Sequence, residues 1–172
     1  IMSEINNEKK EKLKELLGSE LVEKVYANLG NRLIEDMSID KVDKIVQVFK
    51  EQGLSLEIIE KCSSILVWGN EKEIREILKV LDEKGIGRDI LKTNGKILAT
   101  GKAKEIEKIL DLLEEKKLGK KFIIGNGNIL ANGKENNIKR IFEIFDQYNL
   151  DMKILSKNGE ILSRGIPDNI EK

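Results

Sequence analysis

Ile97-Leu98-Ala99-Thr100-Gly101 decides the architecture, because the chain writes its pattern, an Ile-Leu pair with glycine three residues on, four times. Ile65-Leu66-Val67-Trp68-Gly69 stands 32 residues before it, and Ile129-Leu130-Ala131-Asn132-Gly133 and Ile161-Leu162-Ser163-Arg164-Gly165 follow at the same interval with no insertion. Periods of about 20–50 residues mark units that cannot bury a core alone and stack on their neighbours. The period predicts an all-α helical-repeat solenoid.

Outward from the pentapeptide, the apolar slots have helical spacing. Ile74, Ile77, Leu78 and Leu81 recur as Ile106, Ile109, Leu110 and Leu113, then as Ile138, Ile141, Phe142 and Phe145, with Val42, Ile45, Val46 and Phe49 upstream. Offsets of 0, 3, 4 and 7 place one apolar stripe on an amphipathic helix. Long helices are expected over 39–52, 71–84, 103–117 and 135–148, each about 20 Å long at 1.5 Å rise per residue.

A shorter helix follows each long one, carried by Leu54, Ile58 and Ile59, by Ile86, Ile90 and Leu91, by Leu118, Phe122 and Ile123, and by Leu150, Ile154 and Leu155. The expected unit is therefore a short plus a long helix. Gly53 and Gly85 fall where a long helix stops and a left-handed residue is needed. Asn149 fills that slot in the fourth copy; Lys117 fills it in the third, where a different joint is expected. Asn94-Gly95, Asn126-Gly127 and Asn158-Gly159 end the short helices. Asn-Gly is also a hairpin signal, so a strand–turn–strand reading competes here with a single 3₁₀ turn formed by the Ile-Leu pair.

The ends depart from the period. Residues 7–17 and 20–29 read as two helices with Ser19 as an N-cap, and Leu33-Ile34 marks a degenerate copy. Residues 1–37 are thus expected to form a capping region, and 38–172 the regular repeats, ending in a truncated fifth unit begun by Pro167 and Ile170.

Composition narrows the function. The 31 basic and 31 acidic residues cancel, so no global field drives the chain to an anionic partner. The single cysteine, Cys62, excludes an intramolecular disulfide, and the absence of histidine removes His-based metal sites, triads and relays. No apolar run reaches the length of a membrane span, and the polar, acid-rich start does not read as a targeting peptide. A cytoplasmic protein with no membrane contact is expected. Gly125-Asn126-Gly127 lacks the lysine and hydroxyl residue of a phosphate loop, and no carboxylate pair is marked out for acid–base work. No enzyme, cofactor or metal is expected.

The order Gly53-Leu54, Ile58-Ile59, Ile65-Leu66, then Ile74 through Leu78 resembles the repeat of the mitochondrial transcription termination factors over about residues 38–165. That resemblance implies helical units binding DNA or RNA on a basic surface, in transcription or RNA metabolism. The family's proline before the apolar pair is replaced here by Ser63, Gly95, Gly127 and Gly159. The Asn-Gly dipeptides between helices also resemble TAL-effector-like repeats, more weakly, since Lys96–Gly101 separate them from the next long helix.

Charge is uneven along the chain. Residues 1–60 carry 9 basic and 13 acidic side chains, and residues 61–172 carry 22 and 18. Lys92, Lys96, Lys102 and Lys104 form one purely basic stretch, and Lys116, Lys117, Lys120, Lys121 and Lys134 belong to a second. Both fall at joints, so stacking is expected to align them on one edge. Lys92, Lys96, Lys102, Lys104, Lys120, Lys121 and Lys134 are the candidate phosphate contacts. Trp68 occupies a slot that drifts to Thr100, Asn132 and Arg164, a position expected to be exposed and suited to base stacking; the competing expectation is that it covers the N-terminal helices. Cys62 and the tyrosines Tyr26 and Tyr148 are expected simply to pack. The alternative function is a protein-interaction scaffold that binds a protein or peptide and no nucleic acid.

Overall fold

The chain is all-helical, and its hydrogen bonds repeat with the sequence. The computed structural model describes residues 2–165 and 167, with side chains from residue 7 onward; the expectation for Ile170 lies outside the described residues. Among the described residues there is no strand, so the hairpin reading of Asn-Gly is wrong.

At the N-terminus α1 (Met2–Leu17) and α2 (Ser19–Asn28) lie where the apolar faces placed them, followed by α3 (Asn31–Asp36) at the degenerate copy. Ser19 does not cap. Gly18, at φ 85°, holds the N-cap position of α2, and Ser19 is the helix's first residue. The long helices are α4 (Ile39–Glu51), α7 (Glu71–Glu83), α10 (Ala103–Glu115) and α13 (Glu135–Gln147). Their stripe residues at the four predicted slots are at most 3% exposed in every copy. Truncating one of them, such as Ile106, removes several buried methylenes and costs about 2–5 kcal/mol.

Between the long helices lie two short ones, not one. The first is α5 (Glu57–Lys61), α8 (Ile90–Thr93), α11 (Lys120–Gly125) or α14 (Lys153–Lys157). The second is α6 (Ile65–Trp68), α9 (Lys96–Thr100), α12 (Asn128–Asn132) or α15 (Glu160–Arg164), built on the Ile-Leu pentapeptide. The expected unit of one short and one long helix is corrected to three helices. The pentapeptide turn opens with i→i−3 bonds, but the Gly69 N–H donates to the Ile65 carbonyl at 2.8 Å, as Gly101 does to Ile97 at 2.9 Å. Those i→i−4 closures make it α-helical, where a 3₁₀ turn would stop at i→i−3.

Long helices pack on long helices, α4 on α7, α7 on α10 and α10 on α13, while α6, α9, α12 and α15 pack in succession and α2, α5 and α8 likewise. α1 packs on α2 and α4, closing the near end.

Every long helix ends identically. The N–H groups of Leu54, Ile86, Leu118 and Leu150 reach back to Phe49, Leu81, Leu113 and Phe145 at 2.8–2.9 Å, the six-to-one bond of a Schellman ending. The preceding residue is left-handed in all four: Gly53 (φ 65°), Gly85 (φ 66°), Lys117 (φ 57°) and Asn149 (φ 52°). The Lys117 joint is therefore the same joint, held by a residue that pays about 1–2 kcal/mol for that conformation.

The Asn-Gly corners answer to a different constraint. Gly95 and Gly127 have φ of −56°, which any residue adopts. The space beside each glycine is taken by a side chain of the preceding corner. A Cβ on Gly127 would meet the Asn94 side chain, its Oδ1 at 2.9 Å and its Cγ and Nδ2 closer still; one on Gly159 would meet Asn126, and one on Gly95 would lie 2.9 Å from the Cys62 Cβ. Each corner lays its Asn, or Cys62 in the first case, flat on the glycine of the next corner. Cys62 is accordingly half-buried.

Candidate nucleic-acid interface

Each unit turns at three corners, and the predicted lysines are distributed over all of them. Lys120 and Lys121 open α11, beyond the far end of a long helix. Lys92 and Lys96 flank the Asn94-Gly95 corner. Lys102 and Lys134 are the N-cap residues of α10 and α13, with Lys104 in the first turn of α10. The expected single edge is not formed. The 13 residues of α10 hold Lys120 and Lys121 about 20 Å from Lys104, and the 5-residue α9 separates Lys96 from Lys102.

One corner does gather several candidates. Trp68 ends α6 at the corner that starts α7, and its equivalents start α10 with Lys102 and Lys104 and α13 with Lys134. Because α6 packs on α9 and α9 on α12, these corners lie side by side. Trp68 is 52% exposed, at the end of a helix that packs on α3 and α4. Tyr148, at 54%, is more open than expected.

Why lysine stands at two helix starts follows from how the starts are capped. Ser38 and Asn70 hold the same slot upstream and cap in the ordinary way: the Ser38 hydroxyl accepts from the Lys41 N–H, and the Asn70 Oδ1 accepts from Lys72 and Glu73 at 3.0 and 3.1 Å. Lysine has no acceptor to offer and opposes the helix dipole. The missing cap comes from the preceding long helix. The Ala103 N–H donates to Glu73 Oε1 at 2.5 Å, and the Glu135 N–H to Glu105 Oε1 at 2.6 Å. A carboxylate borrowed from one unit earlier thus frees the N-cap slot for a cation.

The same arrangement disposes of the edge's negative charge. Glu73 and Glu105 are occupied as caps. Glu71 pairs with Lys44 at 3.8 Å and Glu135 with Lys108 at 3.3 Å. Lys102, Lys104 and Lys134 are exposed, and among the described residues they have no ion pair. Lys72, in the slot of Lys104, joins them; sequence reading passed over it although the 32-residue register pointed to it.

The Asn-Gly corner holds a separate feature. A notch of about 390 Å³ is lined by Lys61, Cys62, Lys92, Thr93, Asn94, Gly95, Lys96 and Asn128. Lys92 pairs with Asp89 at 2.8 Å, and that hydrogen bond, with the attraction behind it, holds the Lys92 ammonium above its ordinary range. Lys120 lies beside the same aspartate and helps to lower it. Lys61 was not anticipated, since it belongs to the unit before the basic stretch. Among the described residues no group of three or more His, Cys, Asp or Glu is placed to hold a metal ion, and no helix is long and apolar enough to cross a membrane.

Comparison with protein-family models, with curated proteins and with solved structures finds no match.

Proposed function

We propose that the chain is a helical-repeat solenoid that binds a nucleic-acid strand along the edge formed by the starts of α7, α10 and α13. Lys72, Lys102, Lys104 and Lys134 contact phosphates there, and Trp68 stacks on a base. One observation carries the reading: on this edge the acids Glu71, Glu73, Glu105 and Glu135 are each engaged by the fold, while these four lysines are exposed and have no ion pair. Neutral total charge is no objection, since phosphate contact depends on local charge density and counterion release. The resemblance to the termination-factor repeat supports the same class of ligand.

Fluorescence anisotropy with labelled duplex DNA, single-stranded DNA and RNA tests it. Four phosphate contacts predict a log–log salt slope of about −3.6 on duplex and about −2.8 on a single strand. Lys102→Glu with Lys134→Glu abolishes binding. Absence of binding to all three probes at low salt refutes the proposal.

A protein-interaction reading has one specific observation in its favour. Leu150 and Ile154 are 38% and 41% exposed, whereas Ile86 and Ile90 in the same slots are 5% and 0%. Leu150→Glu with Ile154→Glu separates the readings, because it removes this apolar surface and leaves the lysine edge intact.

A further inference from the structure

The lysine-lined notch at the Asn94-Gly95 corner lies apart from the proposed edge, at the other end of α9. Its lining contains Lys61, Lys92 and Lys96 and no carboxylate. Its counterpart one unit along is smaller, about 170 Å³, and is lined by Asn94, Asn126, Asn128, Glu160 and Ser163 with no lysine. The repeat explains the contrast. The slots of Lys92 and Lys96 become Ile124 and Asn128 one unit on, and the slot of Lys61 becomes Thr93. Of the two, the earlier notch alone is lined by three lysines. Lys61 and Lys96 are exposed and have no ion pair among the described residues, and Lys92 shares its charge with an exposed aspartate, a pairing of little strength that an incoming anion readily replaces.

We propose that this notch binds a small phosphorylated ligand of nucleotide size. Three lysines around one concave notch match two or more phosphate charges better than one carboxylate. The volume falls in the range of small-ligand sites, about 300–1,000 Å³, which leaves room beyond the phosphates. The Thr93 hydroxyl and the Asn94 and Asn128 amides supply donors and acceptors for the rest of the molecule. The ladder packing makes the floor firm, since Cys62 is seated on Gly95 and Asn94 on Gly127.

The chain carries its own reporter. Cys62 is the only cysteine and lines the notch, so its alkylation rate with neutral N-ethylmaleimide reads occupancy directly. ADP and inorganic pyrophosphate are the small probes, and a short single-stranded oligonucleotide is the strand probe. The expected result is at least a fivefold slowing of alkylation by saturating ADP. Pyrophosphate gives a weaker effect. Lys61→Gln with Lys96→Gln weakens the ADP concentration dependence at least tenfold, while Lys102→Gln with Lys134→Gln leaves it unchanged. These are exposed positions, and unaltered far-ultraviolet circular dichroism verifies folding. No slowing by ADP or pyrophosphate at millimolar concentration overturns the proposal, as does slowing that the Lys61 and Lys96 changes leave intact. Protection by the oligonucleotide alone also overturns it and gives the notch to the strand. Loss of strand binding at the other edge, with ADP protection retained, refutes the proposed function and leaves this site standing.

Discussion

Gly127→Ala tests the corner ladder. At φ −56° alanine is permitted, and restricting the unfolded chain favours the variant by about 0.4–1 kcal/mol. Against this, the new Cβ lands within 2.9 Å of Asn94 Oδ1 and nearer still to two other Asn94 atoms, and such overpacking costs about 1–3 kcal/mol. The net expectation is a loss of about 1–2 kcal/mol, or a fall in Tm of about 2–8 °C for a domain of this size. Asn94→Ala removes the obstruction and gives up only an exposed hydrogen bond to Thr93 Oγ1 at 3.0 Å. In that background Gly127→Ala is neutral or stabilising, giving a coupling of about 1–3 kcal/mol. Gly125→Ala is the control, because its Cβ meets nothing within 4 Å. Urea melts followed by circular dichroism supply the four free energies, provided the slope m stays constant. Equal destabilisation by Gly127→Ala in both backgrounds refutes the ladder as the reason for glycine.

Further expectations concern the joints and the edge. Lys117→Gly relieves the left-handed lysine and raises stability by about 0.5–1 kcal/mol after the entropy of the added glycine is discounted, read from the urea midpoint. Glu105→Ala removes the borrowed cap of α13 at a cost of about 0.5–2 kcal/mol, and the Glu135 amide then exchanges hydrogen faster than the Ala103 amide. Asp82 is held below its ordinary value of 3.8 by the hydrogen bonds it accepts from Arg88, with desolvation pulling upward and the guanidinium charge adding to the lowering. Its contribution is complete above that value and fades as pH falls through the lower folded one, so Asp82→Asn lowers Tm in the neutral range, costs nothing below the folded value, and flattens the acid limb between them. Trp68 is the only tryptophan; a bound strand quenches its emission, and Trp68→Ala weakens binding by about 1–3 kcal/mol.

The helical class and the four long helices were legible because apolar periodicity reports burial directly: Ile74 through Leu81 and their equivalents are core wherever they recur. The third helix escaped because Ile65–Trp68 is a single turn of 4 residues, too short to display a period. Asn-Gly misled for a stated reason. Its familiar signal is a positive φ, but here the glycine answers to an asparagine 33 residues earlier, a through-space fact that local pattern does not contain. The lysines themselves were visible, but not their grouping, since three corners per unit spread neighbours in sequence over separate faces. Nor did Glu73 and Glu105 stand out as caps: a carboxylate on a polar helix face looks the same whether it meets water or the next helix.

The borrowed caps carry a consequence for how such a chain changes length. Excising residues 103–134 would join Lys102 to Glu135, and Glu73 would then meet the Glu135 N–H as Glu105 does now. Excising 71–102 would instead join Asn70 to Ala103 and give that helix an asparagine cap of its own. Each start depends on at most one predecessor, so whole units can be lost or duplicated without a new joint being invented. Copy number then becomes a variable open to gradual evolution, and with it the reach of any surface the units share.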